Sequence, residues 1–144
     1  MKRTWLAALA LLPGCTTQLS FYPLEGPLSK EVPLLVLLAT ASGIDGNTGK
    51  LTLTMPDGEA CSGRWSSAAG AGVTLSSMSL IGTYGSIYGT GASVSTGTGQ
   101  NPGQAFMSCS KGRTFQIEFV TGAGTANGFG FAKDNQGNVY RVLF

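Results

Sequence analysis

The chain has 144 residues, no histidine, three cysteines and a formal charge of +2. That length suits one domain with one modest core, and the missing histidine excludes a Ser-His-Asp triad, a Cys-His pair and any histidine-bearing zinc centre. Two of the nine basic residues, Lys2 and Arg3, open the chain; the others balance the seven acidic residues, so the clustered basic footprint that nucleic acid would need is missing.

Residues 1–14 read as a signal peptide: Lys2 and Arg3 give a positive start, Trp5 to Leu12 an uncharged apolar stretch, and Pro13-Gly14 a break. The apolar stretch is far shorter than the roughly 20 residues that span a bilayer. Leu12-Pro13-Gly14-Cys15 resembles the bacterial lipobox, with Leu three places before the cysteine and a small residue just before it. The resemblance implies diacylglyceryl transfer to the Cys15 sulfur, cleavage before Cys15 and acylation of the new amino terminus. It also implies a membrane as partner, reached through lipid and not through a transmembrane helix. Thr16 stands where enteric lipoproteins retained at the inner membrane carry Asp, which points to the outer membrane, on its periplasmic or surface face.

Residues 15–31 read as a flexible tether, because Pro23, Gly26 and Pro27 interrupt regular structure. A single β domain is expected over 32–144. The apolar run Leu34 to Ala39 has strand length and ends in the turn formers of 43–49. Leu51, Leu53 and Met55 then alternate with Thr52 and Thr54, which puts apolar side chains on one face. Pro56-Asp57-Gly58 predicts a hairpin turn, and the return strand from Glu59 to Ser66 places Cys61, Gly63 and Trp65 on one face. Val73 and Leu75 change parity with Met78 and Leu80, which predicts a bulge near Ser76-Ser77. Residues 82–103, rich in Gly, Ser and Thr, read as a long mobile loop.

Beyond it, Ala105 to Cys109 leads to the turn Lys111-Gly112, after which Phe115, Ile117 and Phe119 alternate with polar residues. A glycine-rich link precedes Phe129 and Phe131, Asp134 to Asn138 makes a last hairpin turn, and Val139 to Phe144 a last strand. The sum is an all-β domain of seven or eight short antiparallel strands, a small barrel or sandwich. Tyr22 to Pro27, Pro56-Asp57-Gly58-Glu59 with Gly63-Arg64-Trp65, and Gly128-Phe129-Gly130 with Asp134 to Tyr140 make the chain similar to small, uncharacterised all-β envelope lipoproteins of Gram-negative bacteria. That resemblance implies a fold and a location and brings no activity with it.

In an exported chain Cys61 and Cys109 are expected to form a disulfide. Asp57, Glu59 and Glu118 are the one set of carboxylates that could serve a carboxylate-based hydrolase as acid and base. Their places on a hairpin turn and a polar strand face read instead as solvated charge, so no enzyme is expected. Asp134 to Asn138 is similar to half a calcium loop but lacks the closing Glu and the flanking helices. Gly97-Thr98-Gly99 and Gly122-Ala123-Gly124 open no helix that would hold a phosphate. The sequence therefore calls for no metal and no cofactor.

Arg64, Trp65, Tyr84 and Tyr88, with Tyr140, are the candidate binding residues, since aromatic rings with polar tips suit a sugar or peptide. Set against this, Trp65 fits the core beside Cys61, and Tyr84 and Tyr88 fit as fasteners of the loop. The sequence favours a structural or protein-interaction module that engages an envelope protein or the cell wall through an edge strand or the glycine-rich loop. The alternative is a small-ligand or inhibitor-like binder that uses a barrel mouth.

Overall fold

The computed structural model describes residues 14–44, 46–67, 100–122 and 125–144. Among them eight antiparallel strands close into a barrel in simple meander order: β1 (Thr16–Glu25), β2 (Leu37–Ser42), β3 (Thr48–Thr54), β4 (Ala60–Ser67), β5 (Gln100–Cys109), β6 (Thr114–Gly122), β7 (Gly128–Asp134) and β8 (Val139–Leu143). The ring is completed where β8 pairs with β1, from Ser20 opposite Leu143 to Glu25 opposite Val139.

Alternation dictates the inside. Leu19 and Phe21 on β1, Leu37, Ala39 and Ala41 on β2, Leu51 and Leu53 on β3, and Phe115, Ile117 and Phe119 on β6 are all buried at period two. Thr52, Thr54, Ser62, Arg64, Gln104 and Ser108 point outward and are exposed. The outer wall is mixed, since Leu38, Phe106, Phe129 and Leu143 also face outward and are exposed.

The predicted tether is corrected: Thr16 to Glu25 is a barrel strand, paired on both sides. Its polar residues Gln18 and Ser20 alternate with Leu19 and Phe21, and Pro23, which has no N–H to give, sits where the ladder to β8 shifts register. Gly26 and Pro27 come only after the strand, where Pro27–Lys30 forms one 3-10 turn. The predicted strand at Leu34 is also displaced. β2 begins at Leu37, the first residue with a partner on β1, while Leu34 remains exposed.

The predicted loop over 82–103 is shortened from its far end, since Gln100 to Gly103 pair with β6. The expected strands and bulge at 73–80, the rest of that loop, Tyr84 and Tyr88 lie outside the described residues. Cys61 and Cys109 face one another across β4 and β5 and are disulfide bonded.

Meander order gives the barrel two unlike ends. One gathers the 3-10 turn and the hairpin turns around Gly58, Gly112 and Gly137, and it is filled. Phe21 packs edge-on against Phe115 and Tyr140, with ring centroids 6.1 and 6.0 Å away, contacts worth about 0.5–1.5 kcal/mol each beyond area burial. Over these rings sits a polar plug centred on Asp134, whose side chain is fully buried. Its Oδ2 accepts from Arg113 Nη1 at 2.7 Å, Asn138 Nδ2 at 2.8 Å and the Tyr140 hydroxyl at 2.9 Å. Its Oδ1 accepts from the backbone N–H groups of Gln136 and Asn138, each at 2.9 Å. Burial pushes the Asp134 carboxyl up, but these hydrogen bonds outweigh it and hold the group below its ordinary value. Burial and the neighbouring Asp134 charge push the Tyr140 hydroxyl well up.

Candidate functional site

Among the described residues, the other end of the barrel is open. Here β1 starts directly after Cys15, β4 ends at Ser67, β5 enters at Gln100 and β6 runs out at Gly122. Small residues face inward on this side, with Ala41 on β2, Gly49 on β3, Gly63 on β4, and Gly103 and Ala105 on β5. Trp65 and Phe119 take up the space beside Gly49 and Gly103, and the neighbouring backbone that beside Gly63; Ala41 and Ala105 border a cavity of about 540 Å³ between walls of Leu19, Leu51, Trp65, Ile117, Phe119 and Phe144. That is within the usual range for a small-molecule site, about 300–1,000 Å³. Eight strands is also the size at which a barrel either fills with side chains or leaves room for one small molecule; here one end is filled and a cavity lies at the other.

Trp65 is fixed in this wall from two sides. Its indole N–H donates to the Ser42 carbonyl at 2.9 Å, and its ring meets Phe119 edge-on at a centroid distance of 6.4 Å. It lies opposite Gly49 on β3, where a Cβ would collide with the indole and with the Ser42 carbonyl. A glycine there is what lets the large ring lie across the strand. Phe119 in turn packs edge-on against Phe144 at 5.7 Å.

The lining changes character with depth. Thr17, Asn47, Asn101 and Thr121 stand at the rim, and Leu19, Leu51, Ala105 and Ile117 lie further in. None of the described lining residues is charged.

The structure distributes the sequence candidates unevenly. Trp65 is a half-buried wall of the cavity and packs against the core cluster. Arg64, its neighbour, points outward and is exposed on the outer wall, across from Phe106. Tyr140 is fully buried at the filled end, so it forms no platform with Trp65. Cys15 is a free, exposed thiol that borders the mouth.

The carboxylates correct the expectation of solvated charge. Glu59 is buried, accepts from the Lys111 backbone N–H at 2.9 Å and lies 3.5 Å from Arg113 Nε. Asp57 alone is exposed, in a 3.3 Å ion pair with Lys111. The Glu59 backbone N–H, and then the Lys111 ammonium, hold its carboxyl below the ordinary value. Glu118 faces outward yet is only 8% exposed, and its Oε2 has no hydrogen-bond partner. It lies on β6 between Gln104 and Phe131, away from the turn that holds Asp57 and Glu59, so the three do not converge. Its neighbours Ile117 and Phe119 face inward and gave no sign in the sequence of how completely Glu118 would be covered.

Burial pushes the Glu118 carboxyl above its ordinary value, which fixes a sign for stability. The folded chain binds this proton more tightly than the unfolded one, so stability is highest below the unfolded value and falls as pH rises through the folded one. Glu118→Gln is therefore expected to stabilise the barrel at pH 7 by about 1 kcal/mol, the size of one unsatisfied buried polar group. Below pH 4 it should be neutral. Urea melts at the two pH values check this, and a destabilised variant at pH 7 would show that the carboxylate is paired.

Among the described residues no three His, Cys, Asp or Glu side chains are grouped to hold a metal ion. Both Asp134 oxygens are already taken up by five donors, so the loop similar to half a calcium site works as a hairpin turn. Compared with family models, curated proteins and solved structures, the chain has no match in any of the three.

Proposed function

We infer that the protein is a lipid-anchored envelope lipoprotein whose barrel binds one small apolar ligand in its open end. The observation that carries this reading is the contrast between the two ends: a plug of aromatic rings and satisfied polar groups at one, and about 540 Å³ of apolar-walled space at the other. Protein interiors are close-packed, so a space of this size, bordered by Ala41 and Ala105 among the described residues, supports a bound ligand. The anchor rests on Leu12 to Cys15.

A structural or interaction module that engages an envelope protein or the cell wall is the second reading. Phe129 and Leu143, paired on the outer wall and 50% and 41% exposed, favour it. Its edge-strand route has less to work with, because a closed barrel removes sheet edges.

The test is uptake of N-phenyl-1-naphthylamine, a neutral apolar dye that brightens when it leaves water. It uses the chain from residue 15 on, which holds every strand of the closed barrel, with Cys15→Ser. Saturable one-to-one binding is expected, reduced at least about tenfold by Ala105→Phe, which fills the cavity, and unchanged by Arg64→Ala on the outer wall. Melting curves identify a variant that has lost its fold. No saturable binding, or loss with Arg64→Ala alone, overturns the reading.

A further inference from the structure

We propose that the open end takes the hydrocarbon chain of an uncharged, ester-linked lipid of the acylglycerol type, in preference to the free fatty-acid anion of the same length. This rests on the apolar-ligand reading and names the ligand class.

The lining supplies the argument. Read inward along the strands it passes from Thr17 to Leu19 on β1, from Asn101 to Ala105 on β5, and from Thr121 to Phe119 and Ile117 on β6. A ring of uncharged hydrogen-bonding groups therefore surrounds an apolar shaft, and the same order runs along an acylglycerol: a neutral head with carbonyl and hydroxyl oxygens, then a chain. Bringing a carboxylate to that rim would strip water from a charge with no cation among the described lining residues to meet it, whereas an ester or hydroxyl costs far less to desolvate.

Position agrees with chemistry. Cys15 borders the cavity, and β1 begins one residue later. On the lipobox reading the opening is therefore held at the level where ester-linked chains enter a bilayer, and a thioether-linked diacylglyceryl on Cys15 carries such chains itself. The chemistry is the same whether the chain is that of Cys15 or of a separate lipid.

The experiment uses the chain from residue 15 on with Cys15→Ser. Trp65 is its one tryptophan, since Trp5 is the only other in the sequence. Trp65 emission is followed during titration with 1-monooleoylglycerol and with oleate at pH 8. A saturable change at one equivalent of the monoglyceride is expected, with oleate at least about tenfold weaker because its charge must be desolvated. Oleate binding as tightly as the monoglyceride overturns the uncharged-head inference and leaves the apolar-ligand reading standing. Dye uptake with no response to either lipid overturns the lipid inference alone, and failure of dye and lipids together overturns both. The lipidated protein purified from membranes separates the sources. If it no longer responds to the monoglyceride, the bound chain belongs to Cys15; if it responds as the unlipidated chain does, the lipid comes from outside.

Discussion

Asp134→Ala is expected to cost the barrel about 3–5 kcal/mol, the loss that follows when one partner of a buried ion pair is removed. Arg113, with only 11% of its side chain exposed, would keep Glu59 at 3.5 Å but lose its shortest partner. The Tyr140 hydroxyl and the Asn138 amide would lose an acceptor at the same time. A chemical-denaturation midpoint against the unsubstituted chain reads the effect directly. Asp134→Asn separates charge from shape, because it keeps an acceptor and removes the charge. The pH dependence has a definite sign. A carboxyl held below its ordinary value stabilises the fold fully above the unfolded value, and the contribution is lost as pH falls through the folded one. The unsubstituted barrel should therefore weaken below about pH 4, the unfolded value for Asp, and Asp134→Ala should flatten that decline. An Asp134→Ala barrel within about 1 kcal/mol of the original would mean that the plug is dispensable.

Reduction of the Cys61–Cys109 bond, or the pair Cys61→Ala with Cys109→Ala, is expected to lower stability by about 4 kcal/mol in the chain-entropy model. The bond closes a loop with a sequence separation of 48, and restricting a loop of that length in the unfolded chain is the main source of the gain. The ladder between β4 and β5 runs in register from Cys61 opposite Cys109 to Ser67 opposite Gly103, and its backbone hydrogen bonds do not depend on the sulfur link. The change should therefore appear in the denaturation midpoint and leave the far-ultraviolet spectrum of the folded protein as it was. A midpoint unmoved by reductant would place the constraint elsewhere.

Most of the strands were legible because period-two alternation is a local property. Leu51, Leu53 and Met55 with their intervening threonines, and Phe115, Ile117 and Phe119 with theirs, declare their inner face without reference to a partner. The turns between them were equally local, since Gly58 and Gly137 hold φ values of 85° and 87° that few other residues accept. β1 was hidden for a different reason. Pro23 and the Gly26-Pro27 break look like the end of order, and only the ladders with β2 and β8, distant in sequence, show that the preceding residues belong to the barrel.

The polar plug was hidden too. Asp134 and Asn138 are ordinary hairpin residues by composition, and their burial depends on Arg113 and Leu28 arriving from other strands and turns; the Leu28 N–H donates to Asn138 Oδ1 at 2.9 Å. The cavity was hidden as well: of the small residues at core parity on β2 to β5 only Ala41 and Ala105 border it, while the space beside Gly49 and Gly103 is taken by the rings of Trp65 and Phe119, which no local pattern announces. Alternation sets Trp65 in the cavity wall and its neighbour Arg64 on the outer wall.

The disulfide and the connection between β4 and β5 lie at opposite ends of the barrel. Ser67 and Gln100 flank that connection at the open end, and Cys61 and Cys109 join the same two strands near the filled one. Covalent continuity is thereby doubled across this one hairpin. A backbone cut between Ser67 and Gln100 would give two fragments, one with β1 to β4 and one with β5 to β8, that stay a single molecule until the sulfur link is reduced. The domain thus has a place where the chain can be opened without being parted.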